Sequence, residues 1–262
     1  MIRSLYTGAT GMIAQQTNLD VIANNLANVN TTGFKKSRAD FEDLMYQIIQ
    51  EPGTAGNQEG SSPTGIQIGL GVRSAAIGKV HFQGDAGSTD NPLDLMIEGD
   101  GLFQVTMPNG DLNYTRSGAF KLDSTGQMVT ADGFALSPGI TIPADALSIT
   151  VASDGKVSVT TPGTTTATDV GQIQIARFQN PGGLRAKGRN LFEETESSGN
   201  ATLGNPGEDG LGTMAQGFLE SSNVSVVEEI VQMVTGQRAY EANSKVIQTA
   251  DQLLNIAINL KR

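Results

Sequence analysis

The 262-residue chain has no cysteine and no tryptophan, and aromatic residues make up only 5% of it. Without cysteine there is no disulfide, no thiolate metal ligand and no cysteine nucleophile. Hydrophobic residues reach only 38%, which is lean for a domain of this length. We therefore expect a smaller globular part together with elements that bury their apolar faces elsewhere.

Positive charge is also scarce. The chain carries 17 Lys and Arg against 27 Asp and Glu, a net charge of −10. Such a balance repels phosphate backbones and argues against a nucleic-acid binder. The one basic cluster, Lys35, Lys36 and Arg38, follows Gly33 and favours a solvated turn.

Long apolar runs are missing as well. The first twenty residues lack the apolar stretch of a cleaved signal peptide. No run of about 18 apolar residues predicts a membrane span. We expect a chain without a transmembrane segment, for which export by a route that cleaves no signal stays open.

Catalytic and metal-binding patterns are equally sparse. His81 is the only histidine, and Gly69-Leu70-Gly71 is only a partial dinucleotide-binding pattern that precedes a strand. The acidic turn Glu98–Gly101 lacks the ligand spacing of a calcium loop. We predict no catalytic, cofactor or metal site, so the chain is not an enzyme and acts by binding or assembly.

Both ends of the chain repeat apolar residues every seven positions, which predicts helices over 1–30 and 224–260. The turn formers Asn30–Gly33 should end the first, and Glu220–Asn223 should cap the second. The repeated positions, which we predict to be assembly residues, are Leu5, Met12, Leu19, Leu26, Val226, Met233, Tyr240, Ile247 and Leu254. In the N-terminal helix a second column lies three residues before each of these, at Ile2, Ala9, Gln16 and Ala23.

Two interpretations of these helices remain. They could pack separately on a globular core, or they could pair with each other and with helices of neighbouring copies. Strict seven-residue spacing at both termini favours a partner helix.

Residues 70–215 have the pattern of an all-β domain. Apolar and polar residues alternate in short runs, separated by turn dipeptides. The predicted strands are 94–97, 103–105, 149–151, 156–159 and 172–175, and the turns are Asn109-Gly110, Asp132-Gly133 and Asp154-Gly155.

The fold class is therefore α+β, with a coiled-coil-like pair of terminal helices and a central, mostly antiparallel β domain. We divide the chain into a terminal helical assembly domain (1–34 and 220–262), an extended arm or linker (35–70) and an outer β domain (71–219). The arm begins with an apolar run and continues through turn formers, which predicts a hairpin-like segment. Its marker residues are Tyr46, Ile48, Ile49, Pro52 and Pro63.

Four phrases of the sequence resemble those of flagellar rod, hook and hook-associated proteins. The first is ANNLANVNTTGFK at 23–35, and the last is GFLESSNV at 217–224 followed by QRAYEAN at 237–243. The middle phrases are EGDGLF at 98–103 and YTRSGAF at 114–120. The resemblance covers nearly the whole chain, and the arm resembles the insertion that separates distal rod from hook subunits.

The resemblance implies a structural role without cofactors. Copies of the chain would polymerise into a rigid helical tube that transmits torque from motor to hook and encloses the export channel. Its implied partners are further copies, proximal rod proteins, the hook protein, the P and L rings and the flagellar type III export apparatus. The implied location is the basal-body rod crossing the periplasm.

Other functions are possible from sequence alone. Another rod or hook subunit of the same family would share the four phrases. A surface adhesin with helical ends would need a signal peptide, and a small-molecule binding protein is the third alternative.

Overall fold

A computed structural model describes residues 2–51, 55–56, 60–61, 64–163 and 167–259. The chain forms two compact units. The helical unit comprises Met1–Leu26, Ser37–Gly78 and Val226–Arg262, and the β unit comprises Ala27–Lys36 and Lys79–Ser225. The three-part functional division made from the sequence stays a prediction.

Two long helices form one part of the helical unit: α1 is Ile2–Ala27 and α2 is Val226–Asn259. α1 ends just before the asparagine-rich segment that predicted its end. Ser225 precedes α2 and Glu228 lies in its first turn, which is the spacing of a capping box. The prediction that a residue of Glu220–Asn223 caps this helix is wrong, because α2 begins only at Val226 and Glu220 lies in a strand.

The two helices run antiparallel and close together. A side chain at Gly8 would approach Ile247 within 3.1 Å, and one at Gly236 would approach Leu19 within 3.2 Å. Small residues at these crossings let the helix backbones come near each other. The predicted pairing of the terminal helices is confirmed.

The rest of the helical unit is a long antiparallel ribbon. β1 pairs with β6, β2 pairs with β5, and β3 pairs with β4. A hydrogen bond from the Leu44 amide to the Gly71 carbonyl, 2.8 Å long, joins the first two pairs. The strands are β1 Ser37–Asp43, β2 Tyr46–Gln50, β3 Ala55–Gly56, β4 Gly60–Ser61, β5 Ile66–Gly69 and β6 Val72–Lys79.

The β unit contains sixteen described strands and one short 3-10 turn at Pro181–Gly183. The strands are β7 Ala86–Ser88, β8 Leu95–Glu98, β9 Leu102–Thr106, β10 Leu112–Thr115, β11 Lys121–Leu122, β12 Met128–Val129, β13 Ala135–Ser137, β14 Ser148–Val151, β15 Lys156–Thr160, β16 Thr168–Gln172, β17 Ile175–Arg177, β18 Arg185–Gly188, β19 Leu191–Glu193, β20 Thr202–Gly204, β21 Thr213–Gln216 and β22 Phe218–Glu220.

These strands form an antiparallel arrangement around β9. The largest sheet has nine strands and runs β11-β12-β13-β9-β10-β19-β18, with β17 pairing both β9 and β20. A three-stranded sheet, β14-β15-β16, and the pairs β21-β8 and β22-β7 complete the unit. The main core lies among them and includes Leu95, Phe103, Phe120, Val157 and Ile175.

The three predicted turns all join antiparallel pairs, namely β9-β10, β12-β13 and β14-β15. Each turn glycine has a positive φ, between 83° and 88°, a conformation that glycine adopts without a steric penalty. Four of the five predicted strands are confirmed. The strand predicted over 172–175 is wrong, since β16 ends at Gln172 and β17 begins at Ile175.

Candidate functional site: assembly surfaces and a buried charge cluster

The residues of the predicted seven-residue column of α1 are only partly covered in the structure. Leu5, Met12, Leu19 and Leu26 are all half-buried. In the accompanying column Gln16 and Ala23 are exposed, and Gly8 and Ile22 are buried instead. The buried residues of α1 lie beside the seven-residue stripe rather than on it, and they are Gly8, Ala14, Val21, Ile22 and Asn25.

On α2 the seven-residue stripe is likewise only partly buried. Met233, Ile247 and Leu254 are half-buried, whereas Val226 and Tyr240 are exposed. Gly236 and Ala250 are buried between them. The contact between α1 and α2 within one chain, called the seam below, is thus made by small residues flanked by larger ones.

A second set of apolar side chains lies outside this seam. They repeat at helical spacing and are more than one-third exposed. On α1 they are Tyr6 and Ile13, and on α2 they are Val227, Ile230, Val231, Val234, Val246, Leu253, Ile256 and Ile258. A monomeric soluble protein rarely leaves such stripes in water, so this surface is a candidate interface.

The arm presents apolar residues on both faces of the β2-β5 hairpin. Ile48 opposes Gln67 on one face, and Ile68 opposes Gln47 on the other. Ile48 and Ile49 are 53% and 56% exposed. Tyr46 lies at the start of β2, whereas Pro52 and Pro63 lie outside the described residues. A two-stranded hairpin with an apolar residue on each face is marginal in water and is stabilised when both faces are covered.

Asn25 ties α1 to the first residue of β1. Its Oδ1 accepts from the Ser37 amide at 2.8 Å, and its Nδ2 donates to the Ser37 carbonyl at 2.9 Å. The same Nδ2 donates to Glu229 of α2 at 3.3 Å. One buried side chain therefore holds both helices and the ribbon, which explains an asparagine in the first phrase.

Glu220 is the centre of a buried charge cluster in the β unit. Its carboxylate is 2.5 Å from the Lys35 ammonium and 2.5 Å from Arg116 Nε, and it accepts from the Gly84 amide at 2.9 Å. The side chains of Lys35 and Glu220 are only 3% and 1% exposed. The prediction that Lys35 lies in a solvated turn is wrong; only Arg38 of that cluster is exposed.

Arg116 also holds the acidic turn that follows β8. Its guanidinium donates to the carbonyls of Ile97, Gly99 and Gly101 at 2.8, 2.7 and 2.5 Å. The turn is thus a structural element rather than a cation site. Five N–H groups in one plane allow an arginine to bind several carbonyls and a carboxylate together.

Ionisation in this cluster follows from its charges. Burial opposes ionisation of Glu220, but the charge of Arg116 and the hydrogen bonds from Lys35, Gly84 and Arg116 outweigh it, so the pKa of this carboxyl lies below 4.5. Burial is also the largest influence on Lys35 and lowers the pKa of its ammonium. Because two cations face one carboxylate, the negative form of Glu220 is the strongly favoured one.

The last phrase contributes a second polar tie. Asn223 Oδ1 accepts from the Lys36 amide at 2.7 Å, and its Nδ2 donates to the carbonyls of Val80 and Phe82. Gly33 lies beside it, with φ of 69° and its amide bonded to the Glu220 carbonyl. A side chain at Gly33 would come within 2.7 Å of the Ser117 amide nitrogen, so only glycine fits.

The four phrases therefore meet at one place. Lys35 comes from the first, the carbonyls of Gly99 and Gly101 from the second, Arg116 from the third and Glu220 from the fourth. Sequence reasoning identified the phrases but not this cluster. A buried Lys, Arg and Glu far apart in sequence give no local signal.

Neither described helix is long and apolar enough to cross a membrane. Within the described part of the chain, no group of three or more His, Asp and Glu side chains is placed to hold a metal ion.

Comparison with known proteins agrees with the four phrases. Residues 5–35 match the model of flagella basal body rod proteins, 96–159 that of the flagellar hook protein FlgE/F/G D1 domain, and 215–260 that of the flagellar basal body rod FlgEFG protein C-terminal region. The chain is 50% identical over 264 residues to the flagellar basal-body rod protein FlgG of Borreliella burgdorferi, covering 100% of both chains.

The chain belongs to the flagellar basal-body rod protein family. It is also 49% identical over 261 residues to FlgG of Caulobacter vibrioides, covering 99% of this chain and 100% of the relative. Identity to the flagellar hook-basal body complex protein FlhP of Bacillus subtilis is lower, 29% over 272 residues and 98% of each chain. The first matched range covers most of α1, the last covers α2, and the middle range runs from β8 into β15.

Proposed function

We propose that this rod-family chain is the subunit of the distal rod, which polymerises into a rigid tube that carries torque from the motor to the hook and encloses the export channel. Its partners are other copies of itself, proximal rod proteins, the hook protein, the P and L rings, and the type III export apparatus that delivers it without cleaving a signal. The tube crosses the periplasm as part of the basal body. The role is structural and not enzymatic.

The observation that carries the proposal is the apolar surface that the helical unit leaves uncovered. The stripes that contain Ile13, Val231 and Leu253 lie outside the seam between α1 and α2. Burying an aliphatic side chain contributes about 1.5 to 3 kcal/mol. Repeated contact of one copy with the next through such stripes builds a helical filament rather than a closed ring when the rotation does not close.

The arm supports the distal position in particular. A rod inside a bushing must resist bending, and bending requires neighbouring subunits to slide along the axis. A hairpin with Ile48 on one face and Ile68 on the other has an apolar residue to bury on either side. Covered on both faces by neighbouring copies, it would oppose that sliding.

Excision of the hairpin tests this role. The bond between the Leu44 amide and the Gly71 carbonyl closes the base, so residues 46–69 can be replaced by a short Gly-Ser linker without stretching the chain. We expect the variant to polymerise but to form bendable tubes, because the contacts between axial neighbours are lost. Persistence length in electron micrographs measures the effect.

A matched control replaces only residues 52–63 by Gly and Ser at constant length, which keeps β2 and β5. These control tubes should stay as straight as the parent. Straight tubes from the excised variant would show that stiffness does not come from the arm, and the absence of any tubes would count against the division of roles between arm and helices.

A further inference from the structure

A cavity of 160 Å³ in the β unit is lined by more positively than negatively charged side chains, beside neutral and apolar residues. Lys35, Arg116 and Arg177 line it together with His81, and Asp100 is its one acid. This is the opposite sign to a chain with a net charge of −10. We propose that the cavity binds one carboxylate group.

The cations of the wall keep hydrogen-bonding capacity. The Lys35 ammonium has three N–H groups and, among the described residues, donates two hydrogen bonds, to the Phe82 carbonyl and to Glu220. The Arg116 guanidinium has five N–H groups and donates four hydrogen bonds within the described part of the chain. Arg177 is exposed and makes one long bond, of 3.3 Å, to the Asp209 carbonyl. A carboxylate can accept from each of these groups, because it offers two oxygens and about four acceptor sites.

His81 adds a nitrogen that needs a partner. It forms a backbone hydrogen bond with Pro181, and since proline has no N–H, the imidazole is the donor. The buried Nε2 has no hydrogen-bond partner among the described residues, so Nδ1 carries that bond. Protonation of Nε2 would supply one more donor to a carboxylate in the cavity.

The charges around His81 couple this protonation to binding. Burial, then Lys35, Lys79 and Arg116, lower its pKa from 6.5 to about 4. Arg177 adds another positive charge to the wall, and Asp100 opposes it. A bound carboxylate places a negative charge among these cations and should raise the pKa of His81 back towards 6.5.

The size of the cavity limits the ligand. Its volume equals that of about five water molecules. A carboxylate on a short carbon chain fits, which describes both a small organic acid and the side chain of Asp or Glu from another chain. These two sources share one chemistry and are separated by the experiment below.

The single histidine makes binding measurable by NMR. Untagged full-length chain with labelled histidine has one imidazole signal, which is followed while acetate is added at constant ionic strength with chloride as the reference anion. We expect a saturable shift with acetate alone and a higher pKa for His81 at saturation. A linear response, equal for acetate and chloride, would overturn the proposal.

A pair of arginine variants locates the effect. Arg177→Gln removes a charge from the wall without touching the Glu220 cluster, and we expect acetate to bind about tenfold more weakly. Arg185→Gln removes an exposed arginine that pairs with Glu193 elsewhere in the β unit, and it should leave binding unchanged. Equal losses in both variants would show a general charge effect and reject the cavity as the site.

The source of the carboxylate is determined by measuring the His81 pKa in assembled chain without acetate. A raised His81 pKa there identifies an acidic side chain of a neighbouring copy as the occupant. An unchanged pKa excludes a neighbouring side chain, so that, together with saturable acetate binding, the ligand is a free small acid. The acetate titration uses unassembled chain, so it succeeds or fails independently of the proposed rod function.

Discussion

Glu220 shows how much one side chain can hold together. It receives a lysine from the segment after α1, an arginine from the end of β10 and the amide of Gly84. Each charge in this cluster is costly to bury alone and is stabilised only by the others. The cluster is therefore cooperative, because loss of any one charged group leaves the others buried without their partner.

We predict that Glu220→Gln destabilises the β unit by about 3 kcal/mol, because it leaves Lys35 and Arg116 buried without a counter-charge. Urea unfolding followed by tyrosine fluorescence measures the change. Glu193→Gln, which removes the acid from a pairing with Arg185 and Lys187 nearer the surface, is the matched control and should have little effect. Equal stability of the Glu220 variant and the parent would mean that the cluster is energetically neutral.

Two depressed pKa values predict that acid destabilises the β unit. His81 has a pKa of about 4 when folded against 6.5 when unfolded, so the folded state binds fewer protons between these values. The contribution of neutral His81 to the free energy of unfolding is fully present above pH 6.5 and is lost as the pH falls through 4. This contribution is about 3 kcal/mol at most. Glu220, with a folded pKa below 4.5, adds a loss at still lower pH.

The measurement is the free energy of unfolding from pH 7 to 4. His81→Gln should flatten the part between pH 6.5 and 4 while leaving the steeper fall below it. An unchanged slope in this variant would assign the acid sensitivity to other groups.

At the scale of elements, the helix pair has two different apolar surfaces. Leu19 packs against Gly236 inside the chain, whereas Leu253 is 54% exposed on the outer side of α2. A carboxylate placed on either surface costs free energy once that surface is buried. The inner position acts through the pairing of α1 with α2, and the outer one through contact with other copies.

We predict that Leu19→Asp and Leu253→Asp each abolish polymerisation and leave the β unit folded. Sedimentation of assembled material and the melting temperature of the β unit provide the two readouts. Leu253→Met keeps the apolar surface and should polymerise normally. Normal tubes from Leu253→Asp would remove the outer stripe of α2 from the proposed interface.

These elements also show how far sequence patterns reach. The seven-residue repeats predicted both helices within a few residues of their observed ends, and the Asn-Gly and Asp-Gly dipeptides predicted three hairpins. The strand predicted over 172–175 failed because β16 and β17 belong to different sheets, a separation that alternation alone does not encode. The burial of Lys35 was not predicted because its partners, the Phe82 carbonyl and Glu220, lie 47 and 185 residues away in sequence.

For the whole molecule, the thin seam predicts coupling between order and assembly. Gly8, Gly236 and Ala250 bury little apolar area, and ordering a backbone residue costs about 1 to 2 kcal/mol. We predict that residues 1–30 and 224–262 are largely disordered in dilute monomer and become helical on assembly.

Hydrogen exchange measures this directly. Amides of both termini should exchange rapidly in dilute monomer and slowly in tubes, while the core around Phe103 and Ile175 is protected in both. Strong protection of either terminus in the monomer would show that the helix pair is stable by itself.

The sequence alone determined the element types, the antiparallel β domain and the family, because these depend on local periodicity, turn chemistry and contiguous phrases. The tertiary structure decided which residues of those phrases act together. Lys35, Arg116 and Glu220 are each unremarkable in their local context and become one cluster only when distant segments are brought into contact. Whether a charged side chain is buried depends on the segments that the whole fold packs around it. A local sequence pattern therefore cannot predict it.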